Sequence, residues 1–208
     1  RTEGVSSTEI RAEKRALHLG LVGESPILSK IEHESSFVNG MEISGVYTIN
    51  DCCLPDKLKQ LSKSTQSFDA LLEKSDALYI ISEPRLHYDQ IKQALLQGKH
   101  ILCESPIAMR VEQWQELTDI ASRQGLVLMD SIKTAYSLAY YRLRLLAKSG
   151  IIGDIYSVDA TCTSLFNFAA YKQSDKQLPE WNSICAWGPT ALLPIYQLLG
   201  TDYCSKTI

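Results

Sequence analysis

The sequence predicts an α/β fold, a doubly wound parallel sheet followed by the beginning of an α+β domain. Three observations carry this. Short apolar runs alternate with helical segments as far as Asp130, the pattern of repeated βαβ units. Ala77 to Ser82 (ALYIIS) is a continuous apolar run, of the kind buried on both faces of a parallel sheet. Beyond Asp130 the chain turns to one amphipathic helix, an alternating β-branched stretch and a long polar loop. The reading therefore divides the chain into residues 1–130 and 131–208.

The elements follow in order. Leu17 to Val22 is the first strand, and Ser25-Pro26 starts a helix to about Glu34, with serine as N-cap and proline at the first helical position. Ile43 to Ile49 is the second strand, Phe68 to Leu72 a short helix, and Ala77 to Ser82 the third strand. A helix from about Tyr88 to Leu96 ends at Gly98, placed for a left-handed cap, and feeds the strand His100 to Cys103. Val111 to Arg123 puts Trp114, Leu117, Ile120 and Ala121 on one helical face, and Leu126 to Met129 is a further strand. In the second part, Tyr136 to Lys148 is a helix with Ala139, Leu143 and Leu146 inward. Ile155 to Phe166 is expected to be a strand of a second, open-faced sheet. Asn167 to Trp181 is a polar loop, Pro189 to Leu199 a helix closed by Gly200, and Asp202 to Ile208 the start of another strand. Two strands are marginal alone, so further chain or a partner is expected to complete this part.

Composition narrows the function classes. Hydrophobic residues make up 45% of the 208, enough for a core, and a net charge of -3 without a basic run argues against a nucleic-acid surface. No apolar segment approaches the roughly 18 residues needed to span a bilayer. Arg1 to Ala16 is too polar to read as a signal peptide. Six cysteines (Cys52, Cys53, Cys103, Cys162, Cys185, Cys204) show no CxxC spacing, so neither a metal site nor a disulfide framework is expected. Reduced thiols in a cytoplasmic protein are the expectation, with Cys103 and Cys162 in strands. Lys57-Leu58-Lys59 and the run from Lys172 to Lys176 read as solvated surface.

The passage from Asp76 to Ala108, DALYIISEPRLHYDQIKQALLQGKHILCESPIA, resembles the glucose–fructose oxidoreductase / inositol dehydrogenase / MocA (Gfo/Idh/MocA) family. The resemblance continues in SGIIGDIYSV and LLPIYQLLG, which look like the start of that family's substrate domain. It implies a Rossmann-type fold, NAD or NADP as cofactor, a sugar-like or polyol substrate, and a homo-oligomer formed through the second-domain sheet. Ser82-Glu83-Pro84-Arg85-Leu86-His87 resembles the family's T-P-x-x-x-H segment beside the nicotinamide ribose, with His87 structural or catalytic. Glu104 and Pro106 match the family's Glu-Lys-Pro, and a cis bond before Pro106 is open. Between them, where the family's lysine lies between nicotinamide and sugar, stands Ser105.

The phosphate loop departs from the pattern as well. A dinucleotide fold wants G-x-G-x-x-G after its first strand. Here the stretch is Gly23-Glu24-Ser25-Pro26-Ile27-Leu28, with one glycine kept. Ser25 brings a Cβ and a competing acceptor, and Glu24 a negative charge that at about 5 Å costs roughly 1 kcal/mol in water and more in a drier site. Thr48 falls where an acidic residue usually binds the adenosine ribose, with Asn50 and Asp51 beyond it. Weakened dinucleotide binding and an ordinary strand–turn–helix both fit these residues.

By the same resemblance, the family's later Asp and His align with Ala186 and Thr190. Neither they nor Ser105 supply a base unassisted, and loss of acid–base help typically costs about 10²–10⁴-fold. Lys133, with Tyr136 near it, is the candidate replacement, since burial would lower a lysine toward the working pH; a solvated connecting segment is the other reading. Two functions follow. One is a divergent oxidoreductase with a remodelled site. The other is a non-catalytic binding, regulatory or assembly protein on the same scaffold.

Overall fold

The computed structural model describes residues 16–49, 54, 56–65, 67–163, 183–202 and 204. The chain forms two compact units, Arg1–Asp130 and Ser131–Ile208.

The first unit is built on five parallel strands: β1 (Leu17–Gly23), β2 (Met41–Tyr47), β3 (Ala77–Ile81), β4 (His100–Cys103) and β5 (Leu128–Asp130). Their order is β2-β1-β3-β4-β5. Chain reversal between β2 and β3 puts helices on both faces, and the period-2 alternation of side chains divides the core accordingly. Leu78, Ile80, Ile101 and Cys103 pack on one face with α3 (Phe68–Lys74), α4 (Pro84–Leu96) and α5 (Val111–Gln124). Leu19, Leu21, Val46 and Tyr79 face the other way, against Leu28 of α1 (Ile27–Ser35) and Leu58 of α2 (Asp56–Ser64). Each fully buried leucine is worth about 1.5–3 kcal/mol over an exposed one.

Several expectations are corrected. Lys57-Leu58-Lys59 is not simply solvated surface: it lies in α2, where Lys57 pairs with Glu32 while Leu58 is fully buried. The period 3.6 places one residue of that polar stretch against the sheet. Pro26, not Ser25, caps α1. The α4 helix begins four residues earlier than predicted, since Pro84 occupies its first turn after the cap Glu83. Leu117 and Ala121 of α5 are buried as expected, but Trp114 is 50% exposed.

In the second unit, a 3₁₀ turn (Lys133–Tyr136) precedes α6 (Leu138–Lys148), so the α-helix starts after Tyr136 rather than at it. Its inward face is not Ala139, Leu143 and Leu146, which are exposed. Tyr140 and Ala147 are buried instead, and Tyr140 Oη and Arg144 Nη1 both donate to Gln197 Oε1 of α7 (Ser183–Leu199). The α7 helix starts before Pro189 and carries Pro189 and Pro194 inside it, each at the cost of one ladder donor. Residues 155–163 form no strand, because no described neighbour offers a ladder for their backbone groups. Cys162 therefore lies outside any strand, unlike Cys103. The expected end of that strand (residues 164–166), the loop from Asn167, and most of the stretch from Asp202 lie outside the described residues.

Candidate functional site

Parallel strands all end at one edge, and open α/β sheets bind ligands there. Register fixes which residues meet: Gly23 lies opposite Ile81, Ile80 opposite Cys103, and Cys103 opposite Asp130. The exits from β1 (Gly23, Glu24, Ser25), β2 (Thr48), β3 (Ser82, Glu83, Pro84) and β4 (Glu104, Ser105, Pro106) thus share one edge of the sheet. The expected strand Ile43–Ile49 ends at Tyr47, which leaves Thr48 just beyond it; Asn50 and Asp51 lie outside the described residues.

Gly23 is kept for contact with protein. Its φ is +127°, and a Cβ there would lie 2.7 Å from the carbonyl carbon and oxygen of Ile81. Glycine lets the ends of β1 and β3 close together.

His87 ties two of the exits. Its ring is 1% exposed, with Nδ1 2.9 Å from the Pro106 carbonyl oxygen and Nε2 2.9 Å from that of Ser82. Burial lowers its pKa below the ordinary histidine value, against the opposing pull of the two carbonyls. A neutral ring donates to only one of the two oxygens. The Ser105–Pro106 bond is cis, the alternative the sequence left open. Ser82 Oγ donates to Gln90 Oε1 at 2.5 Å.

Two residues at this edge escaped the sequence reading. Tyr79 Oη donates to Glu104 Oε1 at 2.5 Å, from a ring otherwise buried in the core. Asp130, the last residue of β5, accepts a hydrogen bond at Oδ1 from Ser105 Oγ. Burial raises the Asp130 pKa, Ser105 lowers it, Glu104 raises it and His87 lowers it, in falling order of effect. The Cys103 thiol beneath is buried and pushed well up by desolvation, hence inert. The signal available in sequence was the acidic end of the run Leu126 to Asp130; nothing linked it to a serine 25 residues upstream.

The other predicted residues lie in the second unit. Lys133 and Tyr136 are exposed on the 3₁₀ turn, while Ala186 and Thr190 are half-buried at i, i+4 on one face of α7.

A dinucleotide can be tested against the first-turn donors of α1. Pro26 has no N–H. The Ile27 amide donates to Ser25 Oγ at 3.4 Å, that of Leu28 to Ser25 O at 3.1 Å, and that of Ser29 to Pro26 O at 3.2 Å. Leu28, in place of the third glycine, is fully buried against the sheet. The first turn of α1 thus leaves a pyrophosphate short of donors. Among the described residues no cluster of His, Cys, Asp or Glu is arranged to hold a metal ion, and no helix is long and apolar enough to cross a membrane.

Sheet order, helix placement and the ligand-facing edge define a Rossmann-type dinucleotide-binding fold. The model of the oxidoreductase family GFO_IDH_MocA, with its NAD-binding Rossmann fold, matches residues 29–131, and the chain belongs to this family. It is 36% identical over 102 residues to a dTDP-3,4-didehydro-2,6-dideoxy-alpha-D-glucose 3-reductase of Streptomyces violaceoruber, covering 48% of this chain and 30% of that protein. It is 36% identical over 90 residues to a D-glucoside 3-dehydrogenase of Escherichia coli, covering 43% of this chain and 26% of that protein. Among solved structures, an NAD-binding protein from Listeria innocua superposes with a TM-score of 0.67 at 20% identity, over 90% of this chain and 54% of that one. The aligned part thus spans under a third of the two curated relatives' lengths.

Proposed function

We propose that this chain belongs to an NAD(P)-dependent oxidoreductase of a sugar-like or polyol substrate, with the usual lysine, aspartate and histidine read as Ser105, Ala186 and Thr190. The observation that supports this most is the His87 tie between the exits of β3 and β4, which holds together the segments resembling the family's cofactor-side motifs. A bound nicotinamide accepts or returns hydride. On this reading Gly23, Glu24 and Ser25 meet the phosphates and Thr48 the adenosine ribose, while Ser82 to Pro84 and Glu104 to Pro106 line the nicotinamide side. Lys133, Tyr136, Ala186 and Thr190 would face substrate.

A second reading is a non-catalytic dinucleotide- or ligand-binding regulatory or assembly protein. The engaged amides of α1 and the missing N–H of Pro26 favour it. The proposal also takes over a homo-oligomer formed through the second-domain sheet and a cytoplasmic setting.

Titration with NADH and NADPH, followed by nicotinamide fluorescence, separates these readings when combined with turnover on a sugar panel. Binding with turnover supports the first. Binding without turnover supports the second, and no binding at about millimolar cofactor removes the oxidoreductase reading.

A further inference from the structure

We propose that Ser105 and Asp130 form the proton-accepting pair of this site: the serine hydroxyl meets a substrate hydroxyl and passes its own proton to the aspartate. This deepens the oxidoreductase reading above and rests on it. Ser105 lies where the resemblance expects the lysine, and its Oγ donates to Asp130 Oδ1. A hydroxyl has one proton and two lone pairs. With its proton directed at Asp130, it presents lone pairs to a second donor. Serine has no useful basicity alone, so the carboxylate is the base and the hydroxyl the relay.

The neighbours are unsuited to the task. Glu104 accepts from Tyr79 at 2.5 Å, and His87 is held between two carbonyl oxygens. Cys103, directly opposite Asp130 in the ladder, is a buried thiol. Glu104 and His87 bear electrostatically on Asp130, and Asp130 in turn on Cys103. Burial and the Glu104 charge make its carboxylate a stronger base, while Ser105 and His87 keep it ionisable.

The step balances. In oxidation the substrate C–H bond would give its hydrogen and electron pair, as hydride, to the oxidised nicotinamide that this edge would hold. The substrate O–H bond breaks and C=O forms; that proton joins Ser105 Oγ as the serine proton moves to Asp130 Oδ1. Reduction runs the same transfers backward.

The test compares the full chain with Asp130→Asn, Ser105→Ala and Ser105→Thr, using NAD+ and NADP+ with scyllo-inositol and D-glucose as turnover probes and NADH and NADPH as binding probes. Asp130→Asn is expected to lower kcat by about 10²–10⁴-fold and to abolish the acid limb of the pH profile. Ser105→Ala follows it in direction, and Ser105→Thr, which keeps the hydroxyl, restores activity. Independently of turnover, carbon NMR of carboxyl-labelled aspartate should show the Asp130 midpoint rising in Ser105→Ala and unchanged in Ser105→Thr. Circular dichroism checks that each variant folds. A midpoint that ignores Ser105→Ala overturns the pair whatever the cofactor does. Wild-type turnover matched by Asp130→Asn overturns the pair alone, leaving the oxidoreductase reading intact. Failure of the wild type to bind either cofactor overturns that reading and the redox step with it.

Discussion

His87 Nδ1 lies 2.9 Å from the carbonyl oxygen of Pro106, so a buried side chain of α4 fixes the turn that carries Ser105. The other ring nitrogen makes the matching contact with Ser82 at 2.9 Å. Losing the ring would leave a cavity and remove the donor that a neutral ring offers to one of these carbonyls. His87→Ala is therefore expected to cost about 2–4 kcal/mol, measured by urea denaturation.

The same residue gives a pH signature. Its folded pKa is lowered by burial, so the fold favours the neutral ring. Its contribution is complete above the unfolded value of about 6.5 and is lost as pH falls through the folded one. Thermal denaturation should show wild-type Tm falling over that window, and His87→Gln should flatten the fall.

Asp130 has the opposite sign. Burial raises its pKa, so the fold favours the protonated acid, and stability declines as pH rises through the folded value. Asp130→Asn removes that penalty while keeping an acceptor for Ser105. It should melt higher than wild type at about pH 8 and close to it near pH 4, about the ordinary aspartate value and below the raised folded one. An unchanged difference between the two pH values would contradict the assignment.

Gly23 combines a positive φ with a backbone neighbour that cannot yield. Gly23→Ala should destabilise by about 1–3 kcal/mol in the same denaturation assay.

Donor supply at α1 is open to repair. Ser25→Gly with Pro26→Ala removes the acceptor engaged by the Ile27 amide and adds a backbone N–H. One charge-assisted hydrogen bond regained is worth about 1.5–3 kcal/mol, so NADPH binding should tighten by roughly tenfold or more in a fluorescence titration.

Strand positions were legible where an apolar run was bounded by punctuation. His100 to Cys103 follows Gly98, whose φ of +75° realises the left-handed turn that the residue type suggested. The α2 helix was missed although Leu54, Leu58 and Leu61 stand at i, i+4 and i+7 and pack on one core cluster, because the lysines between them drew the reading to solvent. Trp114 and the leucines of α6 were placed inward on periodicity alone, and tertiary contacts decided otherwise. At the site, the motif around Glu104 and Pro106 could be read directly. The partner of Ser105 could not, because only the parallel register of β4 and β5 brings Asp130 beside it.

The most direct measurement is equilibrium titration of the chain with NADPH and NADH by nicotinamide fluorescence. Saturable binding is predicted, weaker than a complete glycine-rich loop would give, with Kd in roughly the ten-micromolar to millimolar range. A flat titration up to about 1 mM of both cofactors would contradict the account.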